Sequence, residues 1–434
     1  MKRDTGDLTP WGWVVAAAVG VLVTIGLLSI YVTDTHYVSG HDGPANASRQ
    51  ATRIAVGIAM MLVILRIGYH RVGRYALGLF LISLVALIPL LAARLLHSNF
   101  GGLTTPRNGA YRWIHLPGLL LQPSEVMKLA YVLALAWHLR YRRDVQRFAG
   151  LLVPLLASAV PLGLILLEPD LGTALLLIPL GFSLLYTAGA RLRHLAAIAV
   201  CGVAAAPFAW GHIAQYQRLR VTSVLLQSDG LRKAVIEHPE DYTALATRRQ
   251  AIEWSASSGY QLVHSKNAIG SGGILGHGWG KGAYVEAPLL PDRHNDFVFA
   301  VVAHQWGFIG CLVVLACYLV IVFAGVRIAS ATIEPFARLL AVGLTTLIAA
   351  QALVNVGMST GVLPVTGMTL PFVSYGGSSL LCNFAAVALL ISVARHNPYL
   401  LTRDPFTFGR EHHESLAASH AREPAPPHPP VAAR

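Results

Sequence analysis

The sequence predicts an all-α, polytopic membrane protein of about ten transmembrane helices, with a long extracytoplasmic loop between the seventh and the eighth. Three observations predict it. The 434-residue chain is 54% hydrophobic and only 12% charged, whereas soluble domains run at about 45–50% and about 25%. Apolar runs long enough to cross a bilayer, roughly 20 residues each, recur along its length. Lysine and arginine collect in alternate short connections, which is the positive-inside pattern.

The apolar runs fall at 11–33, 50–69, 74–96, 124–140, 147–167, 171–189, 192–211, 297–326, 334–357 and 377–395. The first is too long for a cleaved signal peptide and lacks a small-residue cleavage site, so it reads as helix one. Lys2 and Arg3, Arg71 and Arg74, Arg140 to Arg147, Arg191 and Arg193, and Arg327 mark the cytoplasmic side. Both termini then face the cytoplasm, and 34–49, 97–123, 212–296 and 358–376 face outward. The net charge of +12 is thereby accounted for by topology, and no nucleic-acid surface is needed. Residues 1–10 form a short cytoplasmic N-terminus, 11–396 the membrane domain, and 397–434 a cytoplasmic Pro- and His-rich tail whose composition predicts disorder. Cys201, Cys311, Cys317 and Cys382 all lie in apolar spans, with spacing that suits neither zinc nor a disulfide framework.

The outward segments carry the unusual residues. Tyr111, Arg112 and Trp113 suit the headgroup layer, and an interfacial helix is expected there. Gln122-Pro123-Ser124-Glu125 opens the fourth span. Proline fits a first helical turn, and Ser124 or Glu125 can cap its free N–H groups. Glu125 and Lys128 stand three apart on one face, either as a plain ion pair or as a polar wall of a cavity. Glu168 and Asp170 sit between spans five and six. Asp170 can cap the sixth helix, or the two carboxylates can line a site and help hold a divalent cation.

In the 212–296 segment a short helix is expected near 244–257. Seven of the thirteen residues from Gly270 to Gly282 are glycine, without the spacing of a nucleotide fingerprint. Ile274, Leu275 and Trp279 suggest a loop packed on the membrane surface. Asp296 then stands at the mouth of the eighth span, where it is either a helix cap or a chemical centre. Between the last two spans, Pro364, Pro371 and Ser374-Tyr375-Gly376-Gly377-Ser378-Ser379 predict a broken or re-entrant segment. Such backbone is tolerated at membrane depth only where protein or a wet cavity satisfies it.

Taken together, QPSExxK at 122–128, EPDLGT at 168–173, the AIGSGG run at 268–273 and LPVTGMTLPFVSYGGSS at 363–379 resemble the SEDS family in kind and order. The likeness is densest in 108–130, 168–173, 259–310 and 351–379, and SKNAIGSGG, GHGW and LPDRHNDF look closer to its elongation branch, RodA, than to its division branch, FtsW. The chain departs from the family's usual Glu-Glu-Leu-Gly at His304-Gln305-Trp306-Gly307.

The resemblance implies a peptidoglycan glycosyltransferase that polymerises lipid II at the outer face of the bacterial cytoplasmic membrane during cell elongation. It would work beside a class B penicillin-binding protein. The family's essential aspartate falls on Asp296, which would act as general base. Arg112, Lys128, Arg220, Lys266, Lys281 and Arg293 are candidates to stabilise the undecaprenyl diphosphate, alone or with Mg2+ or Mn2+ held by Asp296 and Asp170. Glu125 and Asp170 would shape the cavity or hold that ion, and Ser378 would line it. Three alternatives stay open: a flippase for lipid-linked precursors, a scaffold that only activates a penicillin-binding protein, and a role in division.

Overall fold

The computed structural model describes residues 10–35, 45–96, 102, 104, 111–116, 119–142, 144–168, 170–212, 215–243, 245–257, 259–287 and 289–395. The expectations for the first nine residues and for the tail lie outside them. All ten expected spans are helices. They are α1 Pro10–Thr35, α2 Ala45–Ile67, α4 Ala76–Leu96 (after a single-turn α3, Tyr69–Arg74), α5 Pro123–Leu139, α6 Leu152–Leu167, α7 Leu171–Thr187 and α8 Leu192–His212. Beyond the large loop follow α14 Val298–Ala331, α15 Pro335–Thr360 and α16 Gly377–Arg395. Seven are long and apolar enough to cross a membrane, α7 and α8 are shorter apolar helices, and α5 adds seventeen residues that include Glu125 and Lys128. The chain is a multi-pass membrane protein.

The core is the seam where α16 packs on α2, α14 on α1 and α15, and α5 on α4. Most of α16 is buried, whereas α2 shows most of its surface outward. The four cysteines are free.

Two expectations fail before the loop. The interfacial helix around Arg112 is instead a two-stranded antiparallel ribbon, β1 Ile114–Leu116 with β2 Leu119–Leu121. A Pro-Gly pair in this stretch of sequence disfavours a continuous helix. The start of α5 has no side-chain cap: Gln122 is its N-cap, and Ser124 and Glu125 bond elsewhere.

The large loop is mostly helical: α9 Gln215–Leu225, α10 Asp229–Glu237, α11 Arg248–Ile252, α12 Tyr260–Ser271 and α13 Ala283–Glu286. The helix expected at 244–257 is only α11, started by a Thr247–Gln250 capping box and followed by a 3-10 turn at Trp254–Ala256. Leu226, Val235, Ala251, Trp254 and Leu262 give this loop a small core of its own.

The glycine-rich run leaves Ile274, Leu275 and Trp279 exposed. It enters a break in α14, where Gly307 has φ 62° and ψ −156°. His277 N and Gly278 N donate to the freed carbonyls of His304 and Gln305 at 3.0 Å. Phe308 N and Ile309 N donate to Gly273 O and Ile274 O at 2.9 and 3.2 Å. The broken helix is thus repaired by its own upstream segment, as a low-dielectric setting requires. A Cβ on Gly276 would stand 2.1 Å from Gln305 O, so only glycine permits this approach.

Between α15 and α16 the chain is irregular, as expected, and mostly buried over 365–374. Side chains satisfy its backbone: Asn355 Nδ2 donates to Met368 O at 2.6 Å, Gln351 Nε2 to Thr369 O at 3.1 Å, and Gln50 Nε2 to Ser374 O at 3.2 Å.

Candidate active site

The irregular segment, the ribbon and the mouths of α2, α5, α7 and α14 enclose a polar cavity of about 810 Å³. Its wall includes Glu125, Asp170, Asp296, Gln122, Thr173, Ser378, Ser379, Trp113, His115 and Tyr375, together with Arg49 and Arg53. Three carboxylates therefore face one space, from three helix mouths far apart in sequence.

Their hydrogen bonding differs in a graded way. Asp170 caps α7, accepting from Thr173 N at 3.4 Å. Its Oδ2 also accepts from Gln122 Nε2 at 3.0 Å, Ser124 Oγ at 2.9 Å and Thr173 Oγ1 at 2.9 Å. Burial works to raise its pKa, but Arg112 and these donors outweigh it and hold the group below the usual carboxylate range. Glu125 Oε1 accepts from Lys128 Nζ at 2.9 Å, while its Oε2 is buried with no hydrogen-bond partner. Lys128 itself is buried and also reaches Gln351 Oε1 at 3.4 Å.

Asp296 is the opposite extreme. It does not cap α14: the N-cap is Phe297, without a side-chain bond. Only its backbone is fixed, with its N–H donating to Asp292 O at 3.0 Å and its carbonyl accepting from Asn355 Nδ2 at 2.9 Å. No side-chain hydrogen bond or ion pair holds the carboxylate among the described residues. The residue is half-buried at the cavity wall. Burial, then the neighbouring Asp292, push its pKa up against Arg220 and Arg112, to about 7. Gly367 marks the gap between Asp296 and Arg220. A Cβ there would lie 3.5 Å from Asp296 Oδ2 and 3.6 Å from Arg220 Nη1, at a φ of +76°. Arg220 Nη1 donates to Thr366 O at 2.9 Å.

Glu168, on the motif beside Asp170, is also buried. Burial and then Asp170 push it up to about 9, against Arg112. Arg112 is thus the cation shared electrostatically by Glu168, Asp170 and Asp296.

The structure brings Asp296, Asp170, Glu125 and Ser378 to one cavity, with Lys128, Arg112 and Arg220 behind its wall. Ser378 Oγ accepts from Gln122 N at 3.0 Å and donates to Leu120 O at 2.9 Å, tying α16 to the ribbon. Three expected cations lie elsewhere. Arg293 is buried and donates to the carbonyls of Tyr284, Val285, Ala287 and Thr33, so it staples the loop to α1. Lys266 is exposed and donates to Gln227 Oε1 at 3.1 Å. Lys281 is exposed on the glycine-rich run. His304 sits at the α14 break, its Nδ1 2.8 Å from Ser271 Oγ and its ring against His277, not on the cavity wall.

Sequence reasoning missed Arg49 and Arg53. They stand one turn apart at the start of α2, on the side assigned as outward, against the positive-inside trend. That exception was the available signal.

Comparison with known proteins places the chain. Residues 13–399 match the cell cycle protein family of FtsW, RodA and SpoVE, and the chain belongs to that family. It is similar to a probable peptidoglycan glycosyltransferase FtsW of Trichlorobacter lovleyi, 33% identical over 90% of this chain and 95% of that one. It is similar to the peptidoglycan glycosyltransferase MrdB of Escherichia coli K12, 32% identical over 92% and 99%. A chain solved in a peptidoglycan synthase complex, described as coordinating polymerization and crosslinking, superposes with a TM-score of 0.68. It is 27% identical and covers 89% of this chain and 98% of its own.

Proposed function

We propose that this protein is a peptidoglycan glycosyltransferase that polymerises lipid II, with Asp296 as general base. The observation that carries the reading is the contrast within the cavity. Among the described residues of the cavity, Asp296 alone presents a carboxylate with no side-chain donor spent on it, at a pKa of about 7, near the ideal for a base at neutral pH. In this reading Asp296 takes the proton from the 4-hydroxyl of the acceptor GlcNAc. That oxygen displaces undecaprenyl diphosphate from the reducing-end MurNAc of the growing strand, with inversion. Membership of a family whose relatives bear the glycosyltransferase name supports it.

A divalent cation, Mg2+ or Mn2+, belongs to the same proposal. Asp170 Oδ2 already accepts three side-chain hydrogen bonds, so Asp170 fits poorly as a ligand. Asp296 could hold the ion only at the expense of its role as base, because a bound cation would lower the pKa of its carboxylate. The cation would supply charge neutralisation at the leaving diphosphate. The reading also includes a class B penicillin-binding protein as partner, both termini in the cytoplasm, and the cavity at the outer face of the cytoplasmic membrane. The RodA-like motifs favour cell elongation over division.

The second reading is a flippase, favoured by the broken α14 and the irregular 361–376 segment, which are at home in transporters. Purified protein given lipid II, with and without divalent cation, decides between them. The proposal expects glycan polymer on a gel from wild type and none from Asp296→Ala. Undiminished polymer from Asp296→Ala would remove Asp296 from its role. Lipid movement between leaflets without polymer would establish the flippase.

A further inference from the structure

We propose that Arg53, with Arg49 one turn before it, forms the subsite that grips the diphosphate head group of a polyprenyl-linked saccharide. The inference rests on the glycosyltransferase reading of the cavity. A substrate of that class carries its negative charge on one group, the diphosphate, and the cavity must hold it. The sequence offers six cations for the task, and none of the six lies on the cavity wall. Among the described residues, the arginines and lysines that do are Arg49 and Arg53.

Arg53 is built in rather than adventitious. Gln50, on the same turn, pins α2 to the buried irregular segment through Ser374 O at 3.2 Å. The Arg53 guanidinium lies over the Tyr375 ring, 4.5 Å from its centroid, which fixes its plane. Tyr375 is held in turn by its N–H to His294 O at 2.8 Å, two residues from Asp296. Arg53 Nη1 is buried with no hydrogen-bond partner. Neither Arg49 nor Arg53 pairs with a carboxylate among the described residues, although three carboxylates face the same space. A half-buried guanidinium with an unused donor, stacked on one face and open at its edge, matches the planar fork that phosphates accept. Val56, three residues on, lines the same cavity and is 52% exposed. Apolar surface therefore begins where the charged head would end, as a lipid-linked ligand requires.

The test uses the full chain in detergent or nanodiscs, in an Asp296→Asn background so that nothing turns over. Binding is measured for undecaprenyl diphosphate and for uncharged undecaprenol. The protein with both arginines should prefer the diphosphate. Arg53→Gln should weaken it about tenfold or more, the size of one lost charge-assisted bond, and leave undecaprenol unchanged. Arg53→Lys should recover part of the preference, and Arg49→Gln should cost less than Arg53→Gln. An unshifted thermal midpoint shows that the variants fold. Full diphosphate preference in Arg53→Gln would overturn the assignment. Equal displacement by free inorganic diphosphate at the same concentration would also overturn it, because the lipid would then add nothing. Because binding is read without turnover, failure of Asp296 as base leaves this result intact, and the reverse also holds.

Discussion

Asp170 and Asp296 occupy comparable places: each carboxylate stands at the mouth of a membrane helix and faces the same cavity. Their surroundings differ. Asp170 is saturated by Gln122, Ser124 and Thr173, and Arg112 helps keep it charged. Asp296 has its backbone tied down by Asp292 and Asn355 while its side chain is left open. A helix mouth alone therefore does not decide what a carboxylate does. The donors brought from other helices decide it, making one acid a structural node and leaving the other an open carboxylate with a raised pKa.

The comparison can be broken at either acid. The largest effect is expected at Asp296. Asp296→Asn should cut lipid II polymerisation by a factor of about 10²–10⁴, the usual worth of a general base, and leave the thermal midpoint unchanged or raised. Asp170→Asn should do the reverse, lowering stability by about 1.5–3 kcal/mol through the loss of charged hydrogen bonds, read as a lower unfolding midpoint. The pH dependence of stability has opposite signs at the two acids. Asp170 is depressed, so its contribution is present above the ordinary carboxylate pKa and is lost as pH falls through its folded value. Asp296 is raised, so the folded protein favours its protonated form and loses stability as pH rises from the ordinary range to about 7. Asp170→Asn should also move the activity limb of Asp296 to lower pH, since the Asp170 charge is one of the causes holding it up. The smallest effect is expected at Gly367→Ala. Its positive φ costs about 1 kcal/mol in a residue with a Cβ, and the added methyl enters the gap between Asp296 and Arg220. Activity should fall several-fold with a small loss in midpoint.

The ten helices were legible because apolar length and loop charge are local signals. Asp296 and the buried irregular segment were legible as violations, a carboxylate and a Pro/Gly run where apolar helix is the rule. The cation assignments were less so. Arg293 sits in a polar loop and Arg53 in an apolar span, yet it is the loop arginine that ends buried among four carbonyls and the span arginine that lies over Tyr375 at the cavity. That outcome depends on contacts between residues hundreds apart in sequence. The ribbon after Arg112 was hidden by composition, since aromatic and basic residues suit an interfacial helix and a strand alike. Neither the break at Gly307 nor its repair by the glycine-rich run shows in averaged hydropathy, because the apolar residues on both sides outweigh His304 and Gln305.

The most direct test of the central claim is the pH–rate profile of polymerisation by purified wild-type protein under single-turnover conditions with lipid II. A base that must be deprotonated predicts a rate that climbs about tenfold per pH unit in acid and levels off above about 7, the value set for Asp296. The residual rate of Asp296→Asn should lack that limb. A wild-type profile flat from about pH 5.5 to 8, or the same limb in Asp296→Asn, would contradict the assignment of Asp296 as the base.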